Sequence, residues 1–145
     1  MLDSLFRKFR GEAETEEAKT DPLQRAVAAL LVEAARADED YTETEKALID
    51  RLLAGQFALS ADQTAALRAE AEAAQAEAND LYGFSRVVKD ELSREGKMQL
   101  IEAMWRVVLT DDHRDPHEEM VIRRLVGLIH LEDRDSTEAR RKAET

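Results

Sequence analysis

The most restrictive feature of this 145-residue sequence is an internal repeat. Residues 37–45 (ADEDYTETE) align with residues 110–118 (TDDHRDPHE) at a constant offset of 73 positions. The apolar residues after each segment also match: Leu48, Ile49, Leu52 and Leu53 align with Val121, Ile122, Leu125 and Val126. Each copy is predicted to form a helix, an acidic loop and a second helix with a capping residue at its start. We therefore expect two helical hairpins related by a pseudo-twofold axis.

Helix-start signals divide the chain into six or seven helices. Thr42 with Glu45 has the capping-box pattern, and Ser60 with Gln63 repeats it. Single cap residues mark four further starts, at Asp21, Asp80, Ser93 and Asp115. Because no segment alternates with period two, we predict an all-α domain over residues 21–145.

Residues 1–20 differ from the rest of the chain. Met1–Arg10 is a short amphipathic segment with basic residues between its apolar ones. It is suited to dock on an anionic membrane surface or a partner, or else to pack on its own domain or fray. Gly11–Thr20 is acidic and has no large apolar residue, so we predict a solvated linker.

The charge balance excludes several classes of protein. The chain has 21 Lys and Arg against 32 Asp and Glu, a net charge of −11 that argues against nucleic-acid binding. It has no cysteine, and no apolar run reaches the ~18 residues of a membrane span. No Gly-rich phosphate loop or nucleophile beside a base is visible, so we predict that the protein is not an enzyme. We expect a cytoplasmic location, with membrane-peripheral attachment as the alternative.

The two loops are candidate cation sites. Asp38 and Asp111 each follow a helix, where the dipole disfavours a carboxylate, so either a bound cation or a solvated turn would explain them. Neither loop is an EF-hand, since Glu43 and Pro116 stand where that loop needs glycine. A calcium, magnesium or zinc site would therefore combine other oxygens. The candidate ligands are Asp38, Asp40 and Glu45 in the first loop and Asp111, Asp112, Asp115 and Glu118 in the second.

The three histidines have alternative interpretations. His113 and His117 lie four residues apart across a predicted cap, and they would serve either as zinc or nickel ligands or as ordinary exposed residues. His130 lies near a helix end, where it would act as a C-terminal cap or as a partner of the helix dipole.

Over about residues 23–139 the sequence resembles the TerB family, named for bacterial tellurite resistance. The resemblance rests on the Ala-Asp-x-x-Tyr-Thr-x-x-Glu stretch at 37–45 and the Asp-x-x-x-Asp-Pro-His-Glu stretch at 111–118. It also includes Met104–Trp105 ahead of the second loop, and it is stronger for stand-alone members than for TerB of the tellurite operons.

The resemblance implies an all-α domain with two equivalent acidic loops that are suspected of binding divalent metal. It also implies a link to the membrane protein TerC and to calcium-binding TerD-type proteins in stress responses. The positions that carry over are Asp38, Glu45, Asp111 and Glu118, with the caps Thr42 and Asp115.

The sequence departs from the family pattern in each loop. Glu39 and Asp112 stand where the family usually has glycine after the loop aspartate. Glycine supplies a positive φ at a helix end without strain. Each loop therefore holds either a strained residue or a different turn, and a different turn would re-aim Asp38 and Asp111.

These observations favour a non-catalytic module that binds divalent cations through its two acidic loops, in a bacterial stress or tellurite-resistance setting. The alternative is a protein-interaction or membrane-peripheral scaffold that needs no metal. Its contact surface would be the N-terminal segment or the acidic face.

Overall fold

The computed structural model describes residues 21–37, 39–110 and 116–145 of the chain. This part contains seven α-helices and no strand, which confirms the predicted all-α class. The predictions for residues 1–20, Asp38 and residues 111–115 lie outside the described residues. The helices are α1 (Pro22–Arg36), α2 (Glu43–Phe57), α3 (Ala61–Glu77), α4 (Tyr82–Glu91), α5 (Arg94–Val108), α6 (Pro116–Leu128) and α7 (Asp133–Glu144).

Helix α1 lies at the centre of the domain. Residues 26–32 (AVAALLV) are consecutive apolar residues, and each is at most 2% exposed. A helix that is apolar on every side must be covered on every side. Accordingly, α1 packs against each of the helices α2 to α6, while α7 packs on α5 and α6. None of the helices in the described ranges combines the length and apolar character needed to cross a membrane.

The predicted caps begin most of the helices. Asp21 accepts a hydrogen bond from the Leu23 backbone N–H at 2.7 Å, with Pro22 as the first residue of α1. Ser60 and Gln63 form the expected reciprocal capping box of α3. Ser93 accepts from the Gly96 N–H at 3.1 Å. Each side chain satisfies a backbone donor that has no partner within its helix, so local sequence alone defines these starts.

Helix α4 begins differently from the prediction. Leu81, not Asp80, occupies the N-cap position, and it makes no side-chain capping bond. The Asp80 carboxylate still accepts from the Tyr82 N–H at 3.0 Å. The helix therefore begins one residue later than predicted, and Asp80 still satisfies a backbone donor at its start.

The repeat is visible in the pattern of burial. In the first hairpin, Leu31 and Ile49 are at most 1% exposed, and their counterparts Met104 and Ile122 are 0% exposed. Residues 27, 28, 30 and 31 of α1 are buried, and so are their counterparts 100, 101, 103 and 104 of α5. In the helices after the loops, Leu53 and its counterpart Val126 are also buried. Thus α1 with α2 and α5 with α6 form two hairpins that contribute equivalent positions to one core.

Candidate functional site

The first acidic loop connects α1 to α2, and its capping box buries a carboxylate. Thr42 Oγ1 accepts from the Glu45 N–H at 3.1 Å, and Glu45 Oε1 accepts from the Thr42 N–H at 2.9 Å. Glu45 is only 1% exposed, and its second oxygen, Oε2, is also shielded from solvent. The predicted cap is confirmed, and it places a carboxyl group in the interior at the start of α2.

Glu118 occupies the equivalent position in the second hairpin. It is the third residue of α6, it is 0% exposed, and both of its carboxylate oxygens are shielded from solvent. Its predicted capping partner, Asp115, lies outside the described residues. The two hairpins therefore each carry a buried glutamate in the first turn of the helix after the loop, where the helix dipole favours negative charge.

The backbone of Glu39 distinguishes between the two conformations expected for the first loop, a strained residue or a different turn. Its φ is 64°, in the left-handed region, and its N–H donates to the Arg36 carbonyl at 2.9 Å. The loop thus has a left-handed residue at the position where the resemblance led us to expect glycine, and the Glu39 backbone bears the strain. Asp112, its counterpart, lies outside the described residues.

Glu39→Gly should stabilise the domain by about 0.5–1 kcal/mol. A non-glycine residue in the left-handed region costs ~1–2 kcal/mol, and the backbone entropy of glycine returns part of that gain. Urea unfolding at an unchanged m-value measures the difference. Glu43→Gly, in the first turn of α2, is the matched control and should lower stability, because glycine is unfavourable inside a helix.

Tyr41 ties the first loop to α3 through a network that the sequence did not reveal. Its hydroxyl donates to Glu72 Oε2 at 2.6 Å, and Arg68 Nη1 donates to the same oxygen at 2.8 Å. Arg68 Nε also donates to Asp50 Oδ1 on α2 at 2.7 Å. Arg68 therefore joins α3 to α2, and Tyr41, just before the cap, is held against α3 through Glu72.

Two cations flank the Tyr41 ring. The Arg36 guanidinium carbon and Lys46 Nζ each lie 5.0 Å from the ring centroid, within the range of cation–π attraction. Arg36 also donates to Gln75 Oε1 at 2.6 Å and to the Glu72 carbonyl at 3.2 Å. The second loop has Arg114 at the position of Tyr41, so the sequence provides no tyrosine for an equivalent anchor.

The network shifts the pKa values of Tyr41, Glu72 and Arg68. Burial, reinforced by the hydrogen bond to the Glu72 carboxylate, holds the pKa of Tyr41 well above its ordinary value. Burial alone would raise the pKa of Glu72, but the hydrogen bonds from Tyr41 and Arg68 outweigh it and lower that pKa. The hydrogen bond to Asp50 raises the pKa of Arg68, so the network is ionised as a salt bridge at neutral pH.

The free energy of unfolding of a Glu72→Gln variant should fall less between pH 7 and pH 3 than that of the wild type. The pKa of native Glu72 lies below the ordinary 4.5. Its stabilising contribution is therefore complete above the unfolded pKa and is lost as the pH falls through the lower, folded pKa. We expect the difference in unfolding free energy between wild type and variant to be larger at pH 7 than at pH 3. An equal difference at both pH values in urea titrations would contradict the assignment.

The structure describes only some of the predicted metal ligands. Asp40 lies in the first loop and is exposed, whereas Glu45, in the first turn of α2, and Glu118, in the first turn of α6, are buried. Asp38, Asp111, Asp112 and Asp115 lie outside the described residues. Within ranges 21–37, 39–110 and 116–145, no group of three or more Asp, Glu, His or Cys side chains is arranged to hold a metal ion.

Two of the three histidines, His117 and His130, lie among the described residues. His117 is exposed at the start of α6, and His113 lies outside the described residues. His130 has φ 67° and follows α6, where its N–H donates to the Gly127 carbonyl and the Leu131 N–H donates to the Val126 carbonyl. These two bonds form a Schellman motif, so His130 takes part in the C-terminal cap through its backbone.

The comparisons with known proteins identify the family. No curated protein and no solved structure matches the chain. A family model described as tellurite resistance protein TerB matches residues 24–141. This range runs from the first turn of α1 into the last turn of α7 and includes both acidic loops. Because the match covers most of the 145 residues, the chain belongs to the TerB family.

Proposed function

We propose that this chain is a non-catalytic TerB module that binds a divalent cation at each acidic loop, in a bacterial stress or tellurite-resistance setting. The family is generally non-catalytic, and its description supplies the setting. Calcium, magnesium and zinc are the candidate ions. The proposed ligands are Asp38, Asp40 and Glu45 in the first loop and Asp111, Asp112, Asp115 and Glu118 in the second.

The observation that supports this proposal is the presence of a buried glutamate at Glu45, in the capping box of α2, and at the equivalent position Glu118. A capping box needs only an acceptor at its last position, and glutamine serves as well as glutamate. The chain uses glutamine at Gln63, which is exposed and makes the same two bonds with Ser60. At Glu45 and Glu118 it instead buries a carboxylate almost completely.

Burying a charge is costly where a neutral side chain would do the same work. A cation at the loop would offset this cost, because attraction between opposite charges is stronger where solvent is excluded. The Asp and Glu residues of each loop, with the net charge of −11, add long-range attraction for a cation. A cation beside Glu45 and Glu118 would stabilise the charged form of both carboxyl groups, which supports the proposal.

A titration of the full chain with calcium, magnesium and zinc chlorides tests the proposal. Amide resonances of residues 37–45 and 110–118 should shift, and the melting temperature should rise by several degrees. An ion at 100 times its Kd stabilises the native state by ~2.7 kcal/mol per site. Asp62→Asn removes an exposed carboxylate from the first turn of α3 and should titrate like wild type. Unchanged spectra at millimolar concentrations of all three ions would exclude cation binding.

A further inference from the structure

A cationic cleft lies between α4 and the end of α6. It has a volume of about 320 Å³, and its lining includes Tyr82, Arg86, Lys89, Leu128 and His130. Among the described residues the lining contains no Asp or Glu, although acidic residues outnumber basic ones in the whole chain. The cleft is therefore a local region of opposite sign on an acidic protein.

The cations of this cleft are available for a ligand. In the part of the chain that the structure describes, neither Arg86 nor Lys89 forms an ion pair. The C-terminal end of α6 borders the cleft and carries roughly half a negative charge, which is less than one of the two cations. The side chains that line the cleft, together with the end of α6, thus carry a net positive charge. Tyr82, 62% exposed, adds an apolar surface at its edge.

We propose that the acidic segment of residues 11–20 (GEAETEEAKT) of the same chain binds in this cleft. The segment carries four glutamates, Glu12, Glu14, Glu16 and Glu17, against one lysine. Its charge is therefore opposite to that of Arg86 and Lys89. The segment is solvated by its composition, so ionic contacts at the surface suit it better than burial.

The chain is long enough to make this contact. Residue 20 adjoins the start of α1, which packs against both α4 and α6. Ten extended residues span up to ~33–36 Å, whereas the fifteen residues of α1 measure ~22 Å. The segment can therefore reach either end of α1.

The covalent link between residues 11–20 and the domain favours this segment over a separate acidic partner. Exposed ion pairs are individually weak, so two or three of them would hold a free peptide only at roughly millimolar concentration or above. A short linker supplies an effective concentration of about that size without any new contact. The contact is independent of cation binding at the acidic loops.

Zero-length carbodiimide coupling of the full chain tests the contact. We expect amide bonds between Lys89 and the glutamates of residues 11–20, located by mass spectrometry. Lys142, exposed on α7 away from the cleft, is the internal control and should couple to these glutamates several-fold less. A mixture of ¹⁵N-labelled and unlabelled chains distinguishes coupling within one molecule from coupling between two.

Arg86→Gln, at an exposed position, and 0.5 M NaCl should each reduce the Lys89 coupling several-fold. Changing all four glutamates to glutamine should also shift the amide resonances of Lys89 and His130, with no change in the melting temperature. Coupling that occurs only between molecules would assign the cleft to a second copy and overturn the proposal. Equal coupling of Lys89 and Lys142, or unchanged cleft resonances in the four-glutamine variant, would also overturn it.

Discussion

Alanine in place of Glu45 or Glu118 is expected to lower the free energy of unfolding by about 2–3 kcal/mol at either position. At Glu45 the change removes the acceptor for the Thr42 backbone N–H, which costs ~1 kcal/mol. It also leaves an empty volume where the side chain is at most 1% exposed, which adds a cavity cost of similar or larger size. Urea unfolding followed by circular dichroism measures both variants.

Two further variants separate the cap from the charge. Glu43→Ala removes a glutamate whose side chain is 91% exposed, two residues before Glu45, and should change stability by less than ~0.5 kcal/mol. Glu45→Gln keeps the acceptor and the volume, as Gln63 does at α3, and should retain most of the stability. If Glu45→Ala lowered the free energy of unfolding no more than Glu43→Ala does, the buried Glu45 side chain would not contribute to stability.

The second large effect is expected at Trp105, which joins α5 to α7. Trp105→Ala should cost about 3–5 kcal/mol, because the indole is 6% exposed and alanine leaves a large cavity. The indole also makes specific contacts with α7. Its Nε1 donates to Ser136 Oγ at 3.1 Å, and the Arg140 guanidinium carbon lies 4.7 Å from the ring centroid. We therefore expect α7 to loosen first.

Amide hydrogen exchange on α7 and circular dichroism suit this measurement, since Trp105 is the chain's single tryptophan and the variant loses its fluorescence. Ser136→Ala is the matched control. It removes one hydrogen-bond acceptor and no buried volume, so it should cost ~1 kcal/mol or less. A Trp105→Ala variant as stable as Ser136→Ala would show that the indole contributes little beyond its hydrogen bond.

Local sequence predicted the helix starts where a polar cap decides them. Thr42, Ser60 and Ser93 each satisfy backbone donors within three residues, so no distant contact is needed to recognise them. Asp80 accepts from the Tyr82 N–H at the start of α4, but Leu81 occupies the N-cap position, so the helix begins one residue later than predicted.

The repeat predicted that Glu45 and Glu118 are equivalent, and their matching burial confirms it. It could not predict the anchor of the first loop. Tyr41 bonds to Glu72, which is 31 positions away on α3, and α3 lies between the two copies without a counterpart. The i,i+4 spacing of Arg68 and Glu72 was a visible signal for a salt bridge, but only the fold shows that Tyr41 joins it.

The missing glycine illustrates a third limit. Sequence alone left a strained residue and a different turn as alternatives at Glu39. The positive φ of 64° selects the strained residue, because the loop keeps the left-handed geometry that glycine would provide.

Isothermal titration calorimetry of the Glu45→Gln, Glu118→Gln double variant against wild type and Asp62→Asn tests cation binding most directly. Wild type and Asp62→Asn should bind calcium, magnesium or zinc with the same affinity and stoichiometry. The double-glutamine variant should remain folded, because glutamine keeps the side-chain volume at both positions and the cap acceptor at residue 45, and it should lose at least tenfold in affinity, because neither side chain can carry negative charge. Equal binding by all three proteins, or heat from none of them, would contradict the proposal that these glutamates hold their charge for a cation.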